Sequence, residues 1–138
     1  MEGVSRGAHA AGGTVVGVTV SPWIGRVKPN PYLTEEVAAA TLFERLEGLI
    51  DSDALIALVG GAGTLAEVAI AWNLRQMDLV APKHVILVGE RWADLIEAFR
   101  RRLIIDEQDL ALLTVVPTIE EAVVALDTPP SAAGVWLG

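Results

Sequence analysis

Apolar positions along this chain fall into two kinds of block, and their alternation sets the expected fold. Thr14 to Val20, Ala54 to Val59 and His84 to Gly89 are short, nearly continuous aliphatic runs. Runs of this length, apolar on both faces, suit strands covered by helices on each side. Elsewhere the apolar residues recur at helical spacing. Leu42, Leu46, Leu49 and Ile50 follow Thr41, and Leu65, Val68, Ala69 and Trp72 follow a cluster of glycines.

Boundary residues refine the elements. A helix from about Glu2 to Ala11 ends at Gly12-Gly13, where left-handed backbone is cheap. Ser21 to Tyr32 carries three prolines and reads as a loop, in which Trp23 packs or covers a ligand. Thr41-x-x-Glu44 and Thr118-x-x-Glu121 are capping boxes, predicting helices to about Asp51 and from Thr118 to Leu126. Further helices are expected over Thr64–Met77 and Trp92–Leu103, and a short strand over Leu113–Val116. Asp127-Thr128-Pro129-Pro130 stops the last helix. The expected organisation is one domain over residues 1–128, with a tail over 129–138 that stays mobile unless Val135-Trp136-Leu137 docks.

Strands alternating with helices predict an α/β fold built on a parallel sheet with right-handed crossovers. Ligands in such sheets sit beyond the carboxyl ends of the strands. The stretch Leu55-Ile56-Ala57-Leu58-Val59-Gly60-Gly61-Ala62-Gly63-Thr64-Leu65-Ala66-Glu67 puts a glycine-rich strand-to-helix turn there. Gly60, Gly61 and Gly63 are expected to bend through positive φ and admit a ligand close to the backbone. The first N–H groups of the helix, from about Ala62 to Ala66, then face outward at the positive end of the dipole and offer a phosphate site. Glu67 follows one turn inside. The bland reading is a tight turn with Glu67 as a favourable early-helix charge.

The sequence Gly60-Gly61-Ala62-Gly63-Thr64-Leu65-Ala66-Glu67 resembles the Pro-Gly-Gly-x-Gly-Thr-x-x-Glu signature of the Lonely Guy (LOG) family, Rossmann-like proteins once labelled lysine decarboxylases. Val59 replaces the proline. Upstream, Thr41-Leu42-Phe43-Glu44-Arg45 is similar to that family's Met-x-x-Arg segment at a comparable spacing. The segment Met1 to Ala8 resembles the family's second helix. The resemblance thus implies a Rossmann-like parallel sheet flanked by helices on both faces, lacking the usual first βαβ portion. It also implies an extended segment at Glu35–Ala40, where alanine content alone favours helix.

Members of the LOG family cleave the N-glycosidic bond of nucleoside 5′-monophosphates to free base and ribose 5-phosphate. That chemistry needs a phosphate anchor, a negative group beside an oxocarbenium-like carbon and a positioned water. By resemblance, Gly60, Gly61, Ala62, Gly63 and Thr64 bind the phosphate, while Arg45 and Glu67 form the catalytic pair. No cofactor or metal is implied. A homodimer or larger homo-oligomer is expected, with the Thr41–Asp51 or Thr64–Met77 helix at the contact. Leu46 stands where a lysine often follows the motif arginine, and this keeps open a second reading: a non-catalytic sensor or carrier of a nucleotide or cofactor. On the residues alone, Arg45 and Glu67 are equally a surface ion pair with no catalytic role.

Composition narrows the alternatives. A net charge of −8 opposes a nucleic-acid surface, and Arg100-Arg101-Arg102 reads as a solvated helix end. The absence of cysteine excludes disulfides and thiolate metal sites and fits a cytoplasmic protein. Ala8 to Gly25 lacks Asp, Glu, Lys and Arg, but glycines and Pro22 interrupt it, so neither a membrane span nor a signal peptide is expected. Lys28 and Lys83, the two lysines, lie in a loop and before a strand, which suits a Schiff-base role poorly. His9 and His84 lack acidic neighbours at metal-ligand spacing. Neither a nucleophile elbow, a Walker lysine nor a dinucleotide glycine pattern is present.

Overall fold

The computed structural model describes residues 2–21 and 30–131, distributed over two compact units, residues 1–51 and 52–138. Trp23, Lys28 and Val135-Trp136-Leu137 lie outside the described residues.

In the first unit, helix α1 (Glu2–Ala10) closes at Gly12, whose φ of +78° admits glycine cheaply, as expected. Strands β1 (Val16–Val20) and β2 (Glu35–Ala39) pair in parallel from Val16↔Glu35 to Val20↔Ala39. The extended segment implied by the resemblance therefore prevails over alanine propensity. Thr41 caps helix α2 (Leu42–Ile50) by accepting from the Glu44 N–H at 3.1 Å. The Glu44 carboxylate reaches one residue beyond the expected box, accepting from the Ala40 N–H at 2.7 Å. Leu46 and Ile50 are buried, but Leu42 is 55% exposed, so the covered stripe of α2 starts one turn later than the sequence pattern predicted.

The second unit holds three parallel strands in the order β3 (Ala54–Leu58), β4 (His84–Val88), β5 (Thr114–Val116). Helix α3 (Ala62–Gln76) joins β3 to β4. Helices α4 (Glu90–Arg102) and α5 (Glu107–Leu110) lie between β4 and β5, and α6 (Ile119–Ala125) follows. Central β4 is buried on both faces. Ile86 and Val88 pack with Val116 and with Ala122 of α6, and the alternate residues Val85 and Leu87 are buried on the opposite face. The unit is therefore a helix-covered parallel α/β sheet, as its aliphatic strands predicted.

Two features depart from the expected pattern. The buried stripe of α3 is Val68, Ala71 and Arg75, not the Leu65–Val68–Ala69–Trp72 set, because a charged side chain takes an inward position. The short helix α5 was not anticipated. It is held by Trp72, whose indole N–H donates to the Asp109 carbonyl at 2.7 Å while its ring stacks on Phe99 of α4. Asp78, at φ 54°, ends α3, and the Leu79 N–H returns to the Leu74 carbonyl at 2.9 Å. That is a Schellman closure with aspartate in place of the usual glycine.

Candidate functional site

Strand β3 runs out at Leu58, and helix α3 begins at Ala62 after a turn of three residues, two of them glycine. The helix starts two residues earlier than the Thr64 start read from the sequence. Its hydrogen-bond ladder opens with the Leu65 N–H donating to the Gly61 carbonyl at 3.1 Å. The N–H groups of Ala62, Gly63 and Thr64 thus precede the ladder, and no side chain caps them. The outward donor set ends at Thr64, not at Ala66 as expected, since Leu65 already bonds within the helix.

The glycines serve space and not handedness. Among the described glycines only Gly12 and Gly89 have positive φ, and Gly61 sits at φ −100°, ψ −158°; the expectation of positive φ at Gly60, Gly61 and Gly63 is therefore corrected. A Cβ on Gly60 would fall 2.8 Å from the Thr64 Cβ and nearer still to its hydroxyl. Gly61 and Gly63 face open space, with nothing within 4 Å of a built Cβ. The turn is thus closed on the side of Thr64 and open over the unpaired amides.

Glu67 is half-buried on α3. It lies four residues after Gly63, hence on the same helix face, and helix side chains lean toward the N-terminus. Glu67 thus shares the helix face of Gly63, one turn after it. On the neighbouring strand, Gly89 at φ +112° turns β4 into α4, and its N–H donates to the Val116 carbonyl at 2.8 Å. A Cβ on Gly89 would come within 3.3 Å of Val59 Cγ2. Two strand-to-helix turns are therefore packed side by side at the carboxyl end of the sheet. The sequence pattern marked Gly89 only as the end of an apolar run.

Arg45 belongs to the first unit. It lies in the first turn of α2, half-buried, and its Nε donates to the Val18 carbonyl of β1 at 3.0 Å. The bond ties the guanidinium to the middle of β1, whereas the capping box alone placed it on an exposed turn.

Other chemically active side chains have structural partners. Lys83 is buried beside the first residue of β4, and its ammonium donates to the Ser52 carbonyl at 2.8 Å. That is the amino end of the strands, opposite the glycine turn. The His9 ring meets Tyr32 edge to face, and the His84 Nε2 lies 2.8 Å from the Thr128 carbonyl. Among the described residues, no cluster of His, Asp and Glu has metal-binding geometry, and no helix is long and apolar enough to cross a membrane.

A family model described as possible lysine decarboxylase matches residues 1–126. The chain belongs to this family. It is the LOG family, to which the glycine turn and the Arg45 segment pointed. No curated protein gives a significant match. The decarboxylase label of the LOG family finds no counterpart in Lys83, whose amine is tied to a carbonyl away from the turn. What sequence reasoning missed is Arg75, although its place seven residues after Val68 put it on the buried stripe.

Proposed function

We propose that the chain is a nucleoside 5′-monophosphate phosphoribohydrolase that releases a free base and ribose 5-phosphate. The observation that carries this reading is the uncapped start of α3, where the Ala62, Gly63 and Thr64 amides stand beside open space at Gly61 and Gly63. Three converging N–H dipoles at a helix N-terminus favour a phosphate dianion over a neutral group. Membership of the LOG family supports a nucleotide ligand, and the resemblance of the glycine turn to that family's signature suggests this reaction.

In this reading the phosphate anchors the substrate and fixes where the sugar lies. Glu67 faces the anomeric carbon, where positive charge grows as the bond to the base breaks. Its carboxylate stabilises that charge and orients a water whose oxygen bonds to the carbon. The proton that this water loses balances the negative charge that the departing base takes with the bonding electrons. The family resemblance assigns the phosphate-directed cation to Arg45, which Val18 holds within the first unit. The active protein is a homodimer or a larger homo-oligomer in the cytoplasm. Incubation with a panel of nucleoside monophosphates, monitoring free base, tests the reaction directly.

One observation favours the second reading, a nucleotide-binding sensor or carrier without turnover. Leu46 is buried where the family often has lysine, so one cation of the usual set is replaced by a core side chain. In that case the same panel yields saturable binding and no free base.

A further inference from the structure

The amino end of the second unit's sheet contains a chain of polar links unrelated to the glycine turn. Arg75, 1% exposed in the last turn of α3, donates from Nη1 to the Lys83 carbonyl and from Nη2 to the Ser131 carbonyl. Lys83 in turn donates to the Ser52 carbonyl, and His84 bonds the Thr128 carbonyl. Thr128 and Ser131 follow α6, beyond the family match, which ends at residue 126. Between these two anchor points lie Pro129 and Pro130, which fix φ and carry no N–H, so the short span is stiff before it is fastened.

We infer that Thr128–Ser131 is a strap and Arg75 a positioning residue: together they fasten the C-terminal end of α3 and so hold the helix whose other end presents the Ala62–Thr64 amides. This rests on the phosphate-binding reading of that turn. The physical case has three parts. A buried guanidinium is costly unless its donors are satisfied, and two of its partners here are backbone carbonyls from separate segments. Burial also lowers the Arg75 pKa, against an opposing pull from Asp78, as expected where a cation is kept from water. Finally, α3 is 15 residues long, about 22 Å at helical rise, and moves as a rod, so freedom at its foot becomes displacement at its tip. Three donors aimed at one phosphate tolerate little displacement.

The test compares the parent with Arg75→Met, Arg75→Lys, a chain ending at Leu126, and Arg75→Met within that shorter chain. Amide exchange is followed across α3 and β4 without ligand, and adenosine 5′-monophosphate is titrated by calorimetry. Arg75→Met is expected to speed α3 exchange about tenfold more than β4 exchange and to weaken binding about fivefold. Lysine at 75 restores part of both, since it still reaches one carbonyl. The shortened chain behaves like Arg75→Met, and combining the two changes costs less than their product, because they break a shared link. Equal acceleration of α3 and β4, or effects that simply multiply, would overturn the strap. Should Arg75→Met fail to fold, Arg75→Lys and the shortened chain decide the matter by the same exchange ratio. A parent that binds no adenosine monophosphate refutes the phosphate site, while the exchange pattern still judges the strap.

Discussion

The side chain of Thr64 occupies the space that a Cβ on Gly60 would need, with only 2.8 Å separating the two Cβ positions. This contact closes one wall of the turn between β3 and α3. Gly60→Ala is expected to lower stability by about 1–3 kcal/mol as the turn is forced open. Gly61→Ala meets nothing and should stay within about 0.5 kcal/mol of the parent. Urea unfolding of both variants checks the contrast, and equal losses would contradict it.

A side chain at Gly61 meets no protein atom within 4 Å of its Cβ, and on the proposed reading a larger one takes the phosphate's space. Gly61→Val should weaken binding of a nucleoside monophosphate far more than binding of the matching nucleoside, with the fold intact. Calorimetric titration of both ligands decides this, since equal losses would mean that no phosphate sits over the amides.

Glu67 and Arg45 should fail in different ways. Glu67→Gln leaves ground-state binding nearly unchanged and lowers kcat by about 100-fold or more, because its contribution grows with charge in the transition state. Arg45→Ala raises KM and lowers kcat together. It also frees the Val18 carbonyl of its Nε partner, so a thermal melt should fall as well. Steady-state rates of base release separate the two patterns. A Glu67→Gln variant that kept its rate would remove the carboxylate from the mechanism.

Phe43, 80% exposed, adjoins exposed Leu42 in the first turn of α2, one of the helices expected at a homodimer contact. On the homodimer reading, these side chains form part of the contact. Phe43→Asp should convert the assembly to monomers by light scattering at micromolar concentration. A parent that is already monomeric would contradict the dimer.

Much of this arrangement was legible in the residues. The Val85–Val88 run announced a strand buried on both faces, Gly12 announced a left-handed helix stop, and Thr41 and Thr118 both cap their helices through the N–H three residues on. The glycine turn was found for a partly wrong reason. Gly60 is needed because Thr64 packs against it, a contact four residues away that backbone propensity does not encode. The reversal at Leu42 has a related cause, since periodicity marks a stripe but not where its cover begins. Arg75 was illegible because a charge on an apolar stripe reads as noise until its carbonyl partners, far apart in sequence, are seen together. The four-residue α5 carries too few positions for any period to register.

The parallel pairing of β3 with β4 and of β4 with β5 has a kinetic consequence. Ala54 meets His84, and Ile86 meets Thr114, so no strand of this sheet can find its partner through a tight turn. Each ladder must close a span of about thirty residues before any of its bonds form, an entropic outlay that precedes the reward. Local order in α3 and α4 shortens both searches, and β4, shared by the two ladders, is the strand on which they converge. Refolding of this unit should therefore be paced by the docking of β4. Truncations of its side chains, Val85→Ala or Leu87→Ala, would slow folding, whereas loss of an exposed contact on α6 would mainly hasten unfolding.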